Sequence, residues 1–280
     1  MARNLPTFKH CLNDSKEWAI IGGGPSINDN IETIRKLKAN GANIVSVNKS
    51  HDWLLDHGIT PWGHILLDPK EWVSEYVQKP RKDVRYFVAS QCHAKTFDAL
   101  DGFPVFLWHA GQDFPEGAEP QTVLHEKWPT QPWFAVPGPT TVGLRGIFLG
   151  AQMGASKFHL IGLDSSRSAG KLHGYAKPEA PDAEPGTLKI KHNGMKYSFE
   201  TNSHMARQQF DFDKLIDEIP EHVKGGRLPS DIELTVHGYG LLPFFAARIG
   251  LHAKPECNTN PAKVGGYTNV ESMYGVTVAF

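Results

Sequence analysis

Residues 17–37, EWAIIGGGPSINDNIETIRKL, pass from a short apolar segment into three glycines, a proline and a serine, and then into a pattern of helical period. The apolar part predicts a strand over Ala19–Ile21. The polar part predicts a helix over 29–40, with Asp29 and Glu32 at capping-box spacing, Ile31, Ile34 and Leu37 along one face, and Gly41 as its stop. A glycine turn between such elements brings backbone N–H groups to a helix N-terminus, where unpaired donors and the helix dipole favour an anion, most often a phosphate. The alternative is a tight strand-to-helix connection with no ligand.

Downstream, the same alternation continues through NIVSVN (43–48), helical SHDWLLDHG, HILLD (64–68), helical KEWVSEYVQ, RYFVAS (85–90), helical HAKTFDAL and VFLW (105–108). Strand-length apolar runs alternating with amphipathic segments are the signature of βαβ units. The expected class is therefore α/β, a mostly parallel sheet with helices on both faces. Residues 110–139 are rich in proline, glycine and tryptophan and read as a structured loop over a site, with Trp128 and Trp133 available to stack on a sugar or base or simply to pack the loop. GPTTVGLRGIFLGAQMGA (138–155) reads as a helix and KFHLIGLD (157–164) as a buried strand. Between 165 and 200 the pattern breaks into a polar stretch and a hairpin turning at Asn193-Gly194, expected to act as a lid inserted in one domain spanning 1–280. A helix from 201, a strand over 231–238 and a last helix over 241–250 complete the order.

With 280 residues, 40% hydrophobic and 21% charged, the chain can bury a full core. Its net charge of -1 supplies no global basic field for a long nucleic-acid tract. Cys11, Cys92 and Cys257 are widely spaced with no CxxC pair, which fits a reducing compartment and argues against a thiolate zinc site. The first residues lack an apolar targeting core and no run of eighteen apolar residues occurs, so a cytoplasmic protein without a membrane span is expected.

The glycine turn is not followed by Gly-Lys-Ser/Thr, and as a dinucleotide fingerprint it fails, because Ile27 occupies the third glycine position and Pro25 intervenes. Its context says more. Asn48, Lys49, Asp68 and Asp164 all fall at strand ends, on the edge of an open α/β sheet where ligands bind. In GPTTVGLRG, Thr140, Thr141 and the N–H groups of Val142 and Gly143 form a second anion-site candidate, with ordinary N-capping as the alternative. The lid carries Arg167, Lys171, His173 and Tyr175, donors suited to a departing phosphate or to a merely solvated loop. His204 lies at a helix start beside the capping candidates Asn202 and Ser203; the dipole there would keep its imidazole neutral and able to take a proton from an alcohol, with an ordinary surface or packed histidine as the alternative. Histidine spacings match no zinc site, HExxH is absent, and no G-x-S-x-G elbow occurs.

Taken in order, IIGGGPSI, VSVNKS, ILLDP, TTVGLRGIFLGAQMGASKFHLIGLDSS, TNSHMARQQFDFDKLI and DIELTVHGYGLLPFF resemble the bacterial sialyltransferases of glycosyltransferase family 42, and equally the motility accessory factors and MptE-like proteins, across most of residues 17–246. The resemblance implies a Rossmann-like fold binding a nucleotide-activated donor, with no cofactor required in the sialyltransferase branch. By position, Gly22, Gly23, Gly24, Pro25, Ser26 and Asn48 would face the nucleotide, and Thr140 to Gly143 its phosphate and sugar. Tyr175 would bond the leaving phosphate and His204 would deprotonate the acceptor hydroxyl. The chain departs from the sialyltransferases at Asp68-Pro69, where they carry asparagine, and at Ser166 or its neighbours, where they carry a second lid tyrosine. An acidic residue facing phosphate implies a metal between them, and Asp68 with Asp164 would suit Mg²⁺. The leading expectation is a glycosyltransferase using a nucleotide sugar, with His204, Tyr175 and Arg167 catalytic. The alternatives are a Mg²⁺-dependent, MptE-like diphosphokinase acting on a small alcohol such as a pterin alcohol, and a non-catalytic nucleotide-binding protein. A glycan, a protein, a small molecule or a modified nucleic-acid base would all serve as acceptor.

Overall fold

The computed structural model describes residues 5–111, 135–175 and 186–253. Trp128, Trp133, Cys257 and most of the expected 110–139 loop lie outside the described residues, and with them any role over the site.

The chain runs β1 (Glu17–Ile21), α1 (Ile31–Ala39), β2 (Asn43–Val47), α2 (Ser50–Asp56), β3 (Gly63–Leu66), β4 (Arg85–Ala89), α3 (Ala94–Ala99), β5 (Val105–Ala110) and β6 (Ala135–Val136). It continues with α4 (Val142–Gln152), β7 (Lys157–Ile161), the hairpin β8 (Gly186–His192) and β9 (Met195–Thr201), α5 (Ser203–Lys224), β10 (Glu233–Val236) and α6 (Leu241–Arg248). Eight strands form a sheet in the order β10-β7-β1-β2-β3-β4-β5-β6, and every described pairing in it is parallel. This is the expected α/β, Rossmann-like class, with the antiparallel hairpin β8–β9 standing apart as its own two-stranded sheet.

Alternation along β1 explains why both faces are covered. Trp18 and Ile20 join a core with Leu144, Ile147 and Phe148 of α4 and Phe212 and Leu215 of α5. Ala19 and Ile21 join the opposite core with Ile34 of α1 and Trp53 and Leu54 of α2. Successive strand residues point to opposite faces, so a strand apolar at every position needs helices on both.

Local structure differs from the sequence pattern in three places. The glycine turn enters a 3-10 helix, Pro25–Asn30, and α1 begins only at Ile31 with Asn30 as its cap. The Asp29/Glu32 box does not form, because the cap position falls on Asn30; Asp29 Oδ2 instead accepts a hydrogen bond from Tyr239 Oη at 3.1 Å. KEWVSEYVQ, expected as helical, takes the tighter 3-10 form over Glu71–Tyr76. Within the 110–139 stretch, β6 adds an edge strand that two residues could not announce. Among the described residues no helix is long and apolar enough to cross a membrane.

Candidate functional site

The order of strands dictates where a cleft opens. After β1 the chain moves toward β2, and after β7 it moves the other way, toward β10, so adjacent strands send their following loops apart. Such a switch point leaves a crevice beyond the carboxyl ends of the two strands. A cavity of about 600 Å³ lies there, lined from the glycine turn, from Asn48 and Lys49 after β2, from Asp68 after β3, from the start of α4, from the segment after β7 and from the start of α5.

The glycine turn is not a row of bare donors. Gly22 N–H donates to Ile161 O at 2.7 Å, Gly24 N–H to Gly162 O at 2.8 Å and Ser26 N–H to Asp164 Oδ2 at 2.7 Å. What the glycines provide is closeness. A Cβ on Gly22 would collide with Gly162 O, one on Gly23 with the Tyr175 hydroxyl, and one on Gly24 would lie 2.6 Å from Asp164 Cγ. The segment after β7 therefore folds back over the turn, with Gly174 N–H donating to Gly23 O at 3.0 Å and Asn28 Nδ2 to Gly174 O at 2.7 Å. His173 stacks on Tyr175 with ring centroids 5.2 Å apart, and both line the cavity. Burial raises the Tyr175 phenol well above its usual range, so it stays a neutral hydrogen-bond donor.

This packing makes Gly23 testable. Gly23→Ala is expected to lower Tm by several degrees, the cost of about 1–3 kcal/mol typical of overpacking. Tyr175→Phe removes the nearest colliding atom but leaves ring carbons 2.9 and 3.0 Å away, so the double variant should regain part of the loss; equal Tm in single and double variants would show that the hydroxyl is not seated on Gly23.

The predicted residues divide. Gly22, Gly23, Gly24, Asn48, Asp68, Thr140, Thr141, Val142, Gly143, Asp164, Tyr175 and His204 all line the cavity. Pro25 and Ser26 are buried behind the turn and do not line it, because Ser26 is drawn to Asp164. Arg167 does not line it either: its Nε lies 3.7 Å from Glu200 of β9 and its backbone N–H donates to Glu200 O, tying it to the hairpin. Lys171 is exposed and closes the small turn with Ser168.

Asp164 is the buried exception to the polar rim. Its two oxygens accept from Ser26, Oδ2 from the N–H at 2.7 Å and Oδ1 from the hydroxyl at 2.5 Å. Burial pushes its carboxyl up to about 7, against the lowering effect of those hydrogen bonds. Asp68, by contrast, is exposed on the cavity wall. The two carboxylates anticipated as a Mg²⁺ pair are therefore in unlike environments, one already spent on Ser26. No group of three His, Cys, Asp or Glu side chains among the described residues is arranged to hold a metal.

At the start of α4 the cap is Thr141, not Thr140, and its hydroxyl makes no capping bond. Thr141 Oγ1 is buried without a hydrogen-bond partner, as is Asn48 Oδ1 across the cavity. Asn48 takes a left-handed backbone (φ 52°), which asparagine tolerates better than most side chains. Thr140 instead gives its N–H and hydroxyl to Asp211 Oδ2, at 3.3 and 2.7 Å, so an internal carboxylate already occupies part of this anion position. His204 is exposed as the second residue of α5, behind Asn202, whose Oδ1 accepts the Met205 N–H at 2.9 Å.

Several wall residues escaped the sequence reading. Lys70, Trp72 and Tyr76 come from the 3-10 segment after β3, and Arg207 lies one turn beyond His204. Trp72 is 54% exposed, with Lys70 Nζ 5.6 Å from its ring, and Lys49 Nζ lies 5.9 Å from the Tyr76 ring. The signal for Arg207 was its i+3 spacing from His204; nothing local to Trp72 marks it as a ring open on a cleft.

Comparison with known proteins bears on this arrangement. The family model described as "6-hydroxymethylpterin diphosphokinase MptE-like" matches residues 1–170. No curated protein matches the chain. Among solved structures, the MAf glycosyltransferase from Magnetospirillum magneticum AMB-1 is similar, with a TM-score of 0.54 and 13% identity, over 86% of this chain and 33% of that one. At such identity the likeness is one of fold, and this chain spans about a third of that protein's length.

Proposed function

The chain belongs to the 6-hydroxymethylpterin diphosphokinase MptE-like family, and from that premise we propose that it is a transferase moving a nucleotide-activated group, a sugar, onto an acceptor hydroxyl. The observation that carries this reading is the meeting of His204 with Lys49, Lys70, Arg207 and a neutral Tyr175 around one cavity at the switch point. His204 takes the acceptor proton as the acceptor oxygen bonds to the anomeric carbon. The bond from that carbon to the phosphate oxygen breaks, and its electron pair leaves with the nucleotide. The charge gathering on that phosphate meets the Tyr175 hydroxyl and the three cations, placed where charge develops. The nucleotide base stacks on Trp72, a role that accounts for a large exposed aromatic ring in a cleft wall.

A second reading, transfer of diphosphate from ATP to a small alcohol with Mg²⁺, is favoured by the family match and by exposed Asp68. The Asp68–Asp164 pair does not fit such an ion as arranged, since Ser26 holds both Asp164 oxygens.

Thermal stabilisation by nucleotides and nucleotide sugars, measured in Mg²⁺ and in EDTA, separates the two, because a ligand of the native state raises Tm by mass action. Stabilisation by a sugar-carrier nucleotide in EDTA is expected. Stabilisation by ATP alone, and only with Mg²⁺, would overturn the sugar-transfer reading in favour of the second. In the same assay Trp72→Ala should bind the stabilising nucleotide about 10- to 100-fold more weakly, from the ~1–3 kcal/mol of a stacked base, with the unliganded Tm unchanged.

A further inference from the structure

Beside the nucleotide cavity lies a second, of about 360 Å³, and the two share Leu67, Thr140 and Arg207 in their walls. We propose that this second cavity seats an anionic group, a carboxylate or a phosphate, of the acceptor molecule. The assignment rests on the transferase reading above and names the chemistry of its second substrate.

The argument is one of charge and position. Among the described residues, Arg207, Lys214 and Arg227 face two carboxylates, Asp211 and Glu218, across the cavity, with Arg145 buried in its far wall. In a chain of net charge -1 this is a local excess, and a concave wall focuses it. Neither carboxylate can neutralise all of it. Asp211, 5% exposed, is divided between Arg207, whose Nε donates to Oδ1 at 2.7 Å, and Thr140. Glu218 lies 3.7 Å from Lys214 and 3.6 Å from His222, open contacts on the helix surface. Arg227, exposed just past the end of α5, has no carboxylate against it among the described residues.

Arg145 fixes the opposite wall. Buried in α4, it donates to the carbonyl oxygens of Gly111, Val136, Gly138 and Pro139 at 2.5, 3.3, 2.6 and 2.8 Å. These bonds hold the chain after β6 in place, so the cavity has a rigid side and a charged one. The partition between the cavities is the Arg207–Asp211–Thr140 chain of hydrogen bonds, and Arg207 sits one turn from His204. Lys214 lies ten residues beyond His204 on α5, about 15 Å along the helix at 1.5 Å per residue, so an acceptor with its anion at Lys214 and Arg227 must be an extended molecule that spans at least that distance past Arg207 to bring a hydroxyl to His204.

The probes are inorganic phosphate and succinate, titrated separately into the full chain, with the ring signal of His222 followed by NMR and assigned through His222→Gln. Nucleotide binding is followed independently by the Trp72-dependent emission, the difference between wild type and Trp72→Ala. A saturable His222 shift with one or both anions is expected, with Trp72 emission unmoved and the affinity weakened at least tenfold in Arg227→Ala and in Lys214→Ala. A shift with phosphate only, or with succinate only, supports the site and says which anion it takes. No saturable shift with either probe, or one of equal affinity in both variants, would overturn it. Failure of the transferase reading would appear elsewhere, as Trp72 emission indifferent to every nucleotide.

Discussion

His204→Ala should abolish transfer, lowering kcat by about 10²- to 10⁴-fold, the range a positioned general base supplies, while the KM for the nucleotide donor and the Tm stay at their wild-type values. The reasons are local. His204 is exposed at the second position of α5, so it contributes little packing, and the helix start is secured separately by Asn202 Oδ1 on the Met205 N–H. Truncation therefore removes a proton acceptor without opening a cavity or a cap. His204→Gln keeps the size and some hydrogen bonding but cannot carry the proton, so it should be as inactive as the alanine variant. Single-turnover rates with saturating donor are the measurement, because they read the chemical step apart from product release. Rates within threefold of wild type would remove His204 from the mechanism and turn attention to His173, the other histidine lining the cavity.

The difference between what the sequence disclosed and what it hid follows the range of the interactions. Period-two and helical patterns are local, and they disclosed the α/β class, the hairpin at Asn193-Gly194 and the strand ends that ring the cavity. The glycine turn was legible as a close approach but not in its partner. The groups that press on Gly22, Gly23 and Gly24 are Gly162, Tyr175 and Asp164, about 140 to 150 residues away, and Ile161, Gly162 and Asp164 take up the N–H groups of Gly22, Gly24 and Ser26 that local reasoning left free for an anion. Arg167 was drawn away in the same manner, by Glu200 of β9. Thr140 was claimed by Asp211 from α5. Trp72 went unnoticed for another reason: an apolar side chain in an amphipathic segment is ordinarily core, and only a tertiary arrangement distinguishes a ring left open on a cleft.

Asp164→Ala should be the most destabilising change near the site, and Asp164→Asn the most informative. In the alanine variant the buried N–H and hydroxyl of Ser26 both lose their acceptor, at about 1–3 kcal/mol each. A loss of about 3–5 kcal/mol, on the order of 10 °C in Tm, is expected. Asparagine keeps the shape and both contacts: its Oδ1 accepts the Ser26 N–H, and its Nδ2 donates to Ser26 Oγ. It lacks only the charge. Burial raises the folded-state Asp164 carboxyl to about 7, above its ordinary 3.8, so the stability this group contributes is fully present below about pH 4 and is lost as pH rises through about 7. Asp164→Asn does not titrate. It should therefore melt above wild type at pH 8, with the gap closing as pH is lowered to 5, whereas Asp164→Ala melts below wild type throughout. Parallel Tm curves for wild type and Asp164→Asn from pH 5 to 8 would mean that the carboxylate is as well accommodated when charged as when neutral. The ionised acid would then belong to the working site, placing a negative charge one residue behind the glycine turn where a nucleotide phosphate is proposed to lie. That outcome would remove burial as an objection to an ionised Asp164 and would shift the balance to the Mg²⁺-dependent reading. The expected outcome keeps Asp164 as the neutral peg that joins Ser26 to the end of β7 and holds the turn closed around Tyr175.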